Sequence, residues 1–176
     1  MATFDIDMSS PVRSGWRGGL GGPNSGGHKP PKWYIQYGND LQVPPTTKIF
    51  SAFSGYVRKF VPHVKANDKV SEYGAQLFVR SNNNKVGVFY THFTRGPNFS
   101  VGQQIKMGDF LGETIGTHVH FAIAEIIGGH PGDVPDVNYM GVDLYNTFLA
   151  LRDSSDVISV RFEQNHTSQP TASLAP

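Results

Sequence analysis

The chain has 176 residues, with 15 Lys or Arg against 14 Asp or Glu, and its formal net charge is +1. This balance creates no field of one sign that would favour nucleic acid or an anionic membrane as a partner. Cysteine is absent, which excludes disulfides, thiolate zinc sites and cysteine nucleophiles. Any transition metal would therefore be bound by histidine, carboxylate or amide side chains.

The N-terminal segment has little apolar periodicity and is rich in Gly, Pro and Ser, as in "SGWRGGLGGPNSGGHKPPK". We interpret residues 1–32 as an extended arm, anchored by side chains such as Trp16. The first ten residues lack the basic and apolar segments of a secretory signal, and no run approaches the roughly 18 apolar residues of a membrane span. We therefore expect a soluble chain that does not use an ordinary signal peptide.

Residues 33–160 read as one β domain. Around a Ser-Gly turn, "KIFSAFSGYVRKFV" alternates as a hairpin does, and "AQLFVRSNNNKVGVFYTHF" predicts a second hairpin with asparagines in its turn. Short glycine-punctuated strands follow in "VGQQIKMGDFLGE", and "THVHFAIAEI" is the longest predicted strand. The pattern predicts a mainly antiparallel β fold.

The C-terminal part contains the one predicted helix. Apolar residues in "GVDLYNTFLALRD" recur with a spacing near 3.6, which is typical of an amphipathic helix. The stretch "VISVRFEQ" predicts an edge strand, and we interpret residues 161–176 as a flexible tail.

Two histidines lie one residue apart in the longest predicted strand. Side chains at positions i and i+2 of a strand share one face, so His118 and His120 project side by side, and Val119 and Phe121 point toward the core. Such a pair suits a metal site, a catalytic pair or two polar residues on a solvated face.

Several motifs occur in a fixed order along the chain: "YTH" at 90–92, "GQ" at 102–103, "KMGDFLG" at 106–112 and "GTHVHF" at 116–121. Upstream, "VPPTTKIFSAFSGYV" predicts a strand pair that belongs to the same pattern through Pro44, Ala52, Gly55 and Val57. Together they resemble the lysostaphin-like (LytM-type) zinc endopeptidases, which cleave peptide cross-links in bacterial cell walls. The resemblance implies an antiparallel β-sheet core of the duplicated hybrid motif type.

The resemblance also implies roles for three histidines. His120 resembles a zinc ligand of the family, His118 the histidine that acts as base on the attacking water, and His92 the residue that stabilises the developing oxyanion. Zinc would be the cofactor, because it acidifies water and polarises a scissile carbonyl.

The family takes its other two ligands from a His-x-Gly-x-Asp motif, and the corresponding segment here is "QYGND". Asp40 and Gly38 are in place, but Gln36 replaces the histidine. An amide oxygen suits hard cations better than zinc, so a site of Gln36, Asp40 and His120 should bind zinc more weakly than the family site. The short loop before His118, and Ala122 in place of a glutamate, are further departures.

Another histidine could complete the site. We interpret His28, His63, His130 and His166 as exposed loop histidines, although the arm that carries His28 could fold back over this site.

The sequence is compatible with two functions. The first is a zinc-dependent peptidoglycan cross-link endopeptidase, a hydrolase that degrades bacterial cell walls. The alternative is a catalytically inactive domain that serves as a structural or wall-binding module, because Gln36 replaces a metal ligand. With no signal peptide evident, we expect a virion or injection-machine component such as a phage-tail protein, whose arm and tail contact neighbouring subunits, or otherwise a cytoplasmic protein.

Overall fold

The computed structural model describes residues 2–18, 20–63, 73–131 and 144–164. Within these ranges the strands are β1 (Ala2–Met8), β2 (Leu20–Gly21), β3 (Gly38–Gln42), β4 (Lys48–Phe50), β5 (Gly55–Val61), β6 (Ala75–Ser81), β7 (Val86–Thr94), β8 (Gln104–Ile105), β9 (Phe110–Thr114), β10 (His118–Ile127), β11 (His130–Pro131) and β12 (Ile158–Gln164). The helices are α1 (Trp33–Gln36) and α2 (Leu144–Ala150). Neither helix has the length and apolar character needed to cross a membrane.

Antiparallel pairing dominates the molecule, which confirms the predicted fold class. The main sheet runs in the order β2-β3-β10-β7-β6-β5-β8, with β11 beside β10 and with β9 joining β7 to β4. Strands β1 and β12 form a separate two-stranded sheet, the terminal ribbon. Helix α2 agrees with the predicted C-terminal helix, whose residues 141–143 lie outside the described ranges; α1 is a short addition that the sequence does not predict.

Strand β10 lies at the centre of the main sheet, between β3 and β7. Val119 and Phe121 are fully buried, and the Phe121 ring lies 5.0 Å from that of Phe148 in α2. Because side chains alternate along a strand, His118 and His120 project together from the opposite face. The predicted orientation of the two histidines is confirmed.

The two predicted hairpins have different outcomes. Strands β6 and β7 pair across the asparagine turn, as expected. The first hairpin is wrong, because β4 pairs with β9 while β5 pairs with β6 and β8. The segment between β4 and β5 is anchored in the core instead: Ala52 donates its N–H to the hydroxyl of the fully buried Tyr90 at 2.9 Å, and Ser51 donates its N–H to the carbonyl of Asp109.

The arm contains strands that the sequence did not predict, whereas β12 agrees with the edge strand predicted in "VISVRFEQ". Phe4, Ile6 and Met8 alternate with polar residues along β1, and the Phe4 ring stacks on Phe162 of β12 at 5.3 Å. This period-2 pattern is the ordinary signal of a half-buried strand. Residues 161–164 of the predicted tail belong to β12, and the remainder, 165–176, lies outside the described residues.

Candidate metal centre

The centre is built first from a pair of residues on neighbouring strands. Asp40 of β3 and His120 of β10 stand directly opposite each other in the sheet register. His120 Nδ1 lies 2.9 Å from Asp40 Oδ1, and His120 Nε2 lies 2.7 Å from the carbonyl oxygen of Tyr34 in α1. The His120 residue is only 4% exposed. Register and a helix carbonyl therefore fix its ring in one orientation.

Gly38 makes room for that ring. A Cβ placed on Gly38 would overlap the His120 ring at Cε1 and Nε2. The position of His120 therefore requires glycine at residue 38, because any larger residue would push the imidazole away from Asp40.

His28 completes the group, which overturns the reading of this residue as an exposed loop histidine. It is 7% exposed, and its Nε2 lies 3.2 Å from Asp40 Oδ2. Its ring meets that of His120 edge-on, with centroids 4.9 Å apart. The glycine-rich arm folds back because β2 pairs with β3 and sets Gly21 opposite Asp40.

The hydrogen bonds indicate where each imidazole carries its proton. His28 Nδ1 lies 2.8 Å from the Gly22 carbonyl, as His120 Nε2 lies near the Tyr34 carbonyl. A carbonyl only accepts, so these nitrogens donate, and the nitrogens that face Asp40 are the ones that could bind a metal ion after losing their protons. Backbone carbonyls that orient imidazoles in this way are typical of metal ligands.

The donor set fits zinc. One ligand atom from each of His28, Asp40 and His120 can be chosen so that all three lie within 4.8 Å of one another. Two imidazole nitrogens and one carboxylate oxygen are ligands that zinc takes in catalytic sites, where a fourth position stays open.

The two imidazoles keep the carboxylate of Asp40 in its charged form. Burial raises the pKa of Asp40, but the hydrogen bonds with His120 and His28 outweigh it and hold the pKa well below its usual value. The pKa of His28 is raised, chiefly by its hydrogen bond with Asp40, against the opposing effect of burial. A charged carboxylate thus lies between two imidazoles.

Gln36, proposed from the sequence as a ligand, makes a different contact. It ends α1, and its Nε2 donates to Asn24 Oδ1 at 2.8 Å. The third side chain beside Asp40 and His120 is instead His28, eight residues before Gln36, at a position that local motif spacing does not reveal.

The two histidines predicted to be catalytic lie beside this group. His118 Nε2 is 3.9 Å from Asp40 Oδ1, and its side chain is 34% exposed. The His92 ring approaches that of His118 at 4.5 Å and that of His120 at 6.2 Å. Apart from Gln36, the side chains discussed above therefore border one site: His28, Asp40, His92, His118 and His120.

A β-bulge aims His92 at this site. Between Tyr90 and Phe93, strand β7 has one residue more than its partner β6, and His92 takes a positive φ of 67°. Left-handed backbone is uncommon outside glycine and is tolerated where surrounding structure enforces it, often at functional sites.

The remaining histidines lie elsewhere. His63 Nδ1 is 2.8 Å from Thr94 Oγ1, and His130 is exposed in β11, so neither joins the group around Asp40. His166 falls outside the described residues.

No protein-family model matches the chain, and no curated protein matches it. Similar solved structures include Helicobacter pylori Csd3, with 23% identity over 67% of this chain and 31% of the other, at a TM-score of 0.47. The M23 metalloprotease pseudoalterin from the deep sea has 17% identity over 67% of this chain and 70% of the other, at a TM-score of 0.49.

The catalytic domain of the antimicrobial peptidase lysostaphin from Staphylococcus simulans has 19% identity over 64% of this chain and 77% of the other, at a TM-score of 0.40. Lysostaphin and M23 peptidases are thus among the solved structures similar to this chain. The chain spans less than half of the Csd3 protein.

Proposed function

We propose that the protein is a zinc-dependent hydrolase that cleaves peptide cross-links of the bacterial cell wall. The observation that carries the proposal is the convergence of His28, Asp40 and His120, with both imidazoles oriented by backbone carbonyls. A zinc ion held by these three residues would polarise a scissile carbonyl and lower the pKa of water at the site.

The histidines beside the metal ligands supply proton transfer and charge stabilisation. His118 is the most exposed of the imidazoles for which a contact with Asp40 is described, so it can meet both water and substrate. We assign it as the base that takes the proton of the attacking water. We assign His92, whose ring meets that of His118 edge-on, as the donor to the oxyanion that would develop on the substrate carbonyl.

The substrate class rests on the sequence motifs. The ordered motifs from Tyr90 to Phe121 resemble those of wall endopeptidases, and we carry the bacterial peptidoglycan substrate over from that resemblance. A place in a virion or injection machine, with subunit contacts through the arm and tail, stays a prediction.

The test joins metal content to activity on purified cell walls. Wild-type protein dialysed against trace zinc should retain about one zinc per chain and should clear a wall suspension. His28→Ala should lose the zinc, whereas His118→Ala should keep it and lose about 100-fold or more of the lytic rate. His130→Ala is the matched control, since it removes an exposed histidine from β11 and should change neither property.

Each possible failure has a different meaning. Lysis that survives His118→Ala would show that His118 is not the base. Zinc bound without any lysis would favour the alternative of an inactive wall-binding module, which a sedimentation assay with purified walls would then detect. Wild-type protein without zinc would refute the metal centre.

A further inference from the structure

The segment that carries His28 is a compact loop. Ser25 Oγ donates to the Gly22 carbonyl, the N–H of His28 donates to the Ser25 carbonyl at 2.9 Å, and His28 Nδ1 donates to the Gly22 carbonyl. These contacts fold residues 22–28 onto themselves. They set the shape of the loop, but none of them ties it to the sheet that carries Asp40 and His120.

Two hydrogen bonds tie this loop to helix α1. Asn24 donates its N–H to the Gln36 carbonyl at 2.8 Å, and Gln36 Nε2 donates to Asn24 Oδ1 at 2.8 Å. Asn24 has a φ of 58°, a left-handed conformation that asparagine accepts better than most residues. We call this reciprocal pair of hydrogen bonds the Asn24–Gln36 clasp.

The clasp connects the loop to a fixed part of the centre. Helix α1 also supplies the Tyr34 carbonyl that orients His120, two residues before Gln36. Through the clasp, the loop that carries His28 and the helix that orients His120 are held against each other. Helix α1 thereby fixes the positions of both imidazoles, His120 directly and His28 through the loop.

We propose that Gln36 is a positioning residue that acts through Asn24 to hold His28 over Asp40. The proposal rests on the proposed function, because it concerns the same metal centre. At the position where the resembling family has its histidine ligand, this chain has a residue that fastens the loop carrying a different histidine. Gln36 therefore supports the centre without contributing a ligand atom.

The size of the effect follows from the nature of the clasp. Its side-chain hydrogen bond is exposed, and His28 also packs against His120. One such hydrogen bond is worth about a five-fold change in an equilibrium constant. Loss of the clasp should thus weaken zinc binding modestly, by loosening the loop before the metal binds.

A double-mutant cycle on zinc affinity tests the proposal. The zinc Kd, measured by competition with a chromogenic chelator, should rise about five-fold in Gln36→Ala and in Asn24→Gly. In a His28→Ala background, whose weaker residual zinc binding is titrated at higher zinc concentration, neither change should have a further effect, since the clasp acts only through His28. Asn24→Asp keeps the acceptor oxygen and should therefore bind zinc with the wild-type affinity.

Asn84→Gly is the matched control. Asn84 also has a left-handed φ, 55°, and also accepts a side-chain hydrogen bond, from Tyr56, but it lies in the β6–β7 turn. Its replacement should leave the zinc Kd unchanged. If Gln36→Ala weakens zinc binding equally with and without His28, Gln36 acts on the metal by another route and the clasp is refuted.

A measurement on zinc-free protein separates this proposal from the proposed function. Long-range ¹H–¹⁵N spectra of histidine side chains report the surroundings of each ring nitrogen of His28. The Nε2 signal, from the nitrogen that faces Asp40, should be the same in wild type and Asn24→Asp and should shift toward an averaged position in Asn24→Gly and Gln36→Ala, because the loop then moves relative to Asp40. Unchanged His28 signals in both variants would overturn the clasp, whether or not the wild type binds zinc.

Discussion

Two carboxylates of this protein contact a basic side chain at the same distance but in different surroundings. Asp40 Oδ1 lies 2.9 Å from His120 Nδ1 in the main sheet, and Asp5 Oδ1 lies 2.9 Å from Arg161 Nε in the terminal ribbon. The side chains of His120 and Asp40 are 5% and 29% exposed, whereas those of Arg161 and Asp5 are 71% and 49% exposed.

The difference shows why distance alone does not identify a site. Arg161 donates from two nitrogens to the two oxygens of Asp5, so each side of that pair is satisfied and solvent screens it. Around Asp40, both imidazoles use one nitrogen to donate to a backbone carbonyl and face the carboxylate with the other. The first pair involves only two exposed side chains, whereas the second belongs to a group of three side chains that zinc accepts as ligands.

Replacing the carboxylate of Asp40 by an amide should have the largest effect on zinc binding. Asp40→Asn removes the anionic ligand between two imidazoles, and the zinc Kd should rise about 100-fold or more. Asp5→Asn is the matched control in the terminal ribbon and should leave the Kd unchanged. Chelator competition measures both variants. Wild-type affinity in Asp40→Asn would exclude this group as the metal centre.

The steric support of the centre should give the next largest effect. In Gly38→Ala the new methyl group overlaps the His120 ring, which must move away from Asp40. Overpacking of this kind costs about 1–3 kcal/mol of unfolding free energy, and zinc binding should be lost with it. Urea unfolding and zinc titration measure the two consequences.

Gly116→Ala is the control for this change, because a Cβ there meets no atom within 4 Å. It should leave both stability and zinc binding near the wild-type values. If Gly38→Ala binds zinc as the wild type does, then the glycine is not needed to place His120.

Local pattern was enough to predict much of the sheet and part of the centre. The asparagine turn between β6 and β7 and the alternation along β10 are signals within a few neighbouring residues, and both are confirmed. The structure also brings Asp40 and His120 together, as the motif spacing indicates. Their roles, with those of His92 and His118, stay predictions until metal and activity are measured.

His28 and the clasp could not be read from local pattern. The position of His28 depends on the pairing of the two-residue strand β2 with β3, a contact between segments twenty residues apart that leaves almost no periodic signal. The false hairpin of β4 and β5 has a similar cause, since the bond between Ala52 and Tyr90 joins residues far apart in sequence. Tertiary contacts outweighed local preference in both places.

The smallest expected effect lies in the terminal ribbon, where Arg161→Ala removes the exposed pair. The pKa of Asp5 is lowered, chiefly by its hydrogen bond with Arg161 and against a small effect of burial. A lowered pKa means that the pair contributes above the ordinary value of 3.8 and that its contribution disappears as pH falls through the folded value. The melting temperature of Arg161→Ala should therefore lie only slightly below that of wild type at pH 7 in low salt, and the two should coincide in 1 M salt, where the screening length is about 3 Å. A large difference in melting temperature that persists in high salt would show that Arg161 stabilises the ribbon by packing. The exposed Asp5–Arg161 pair would then matter more for stability than its screened electrostatic attraction allows.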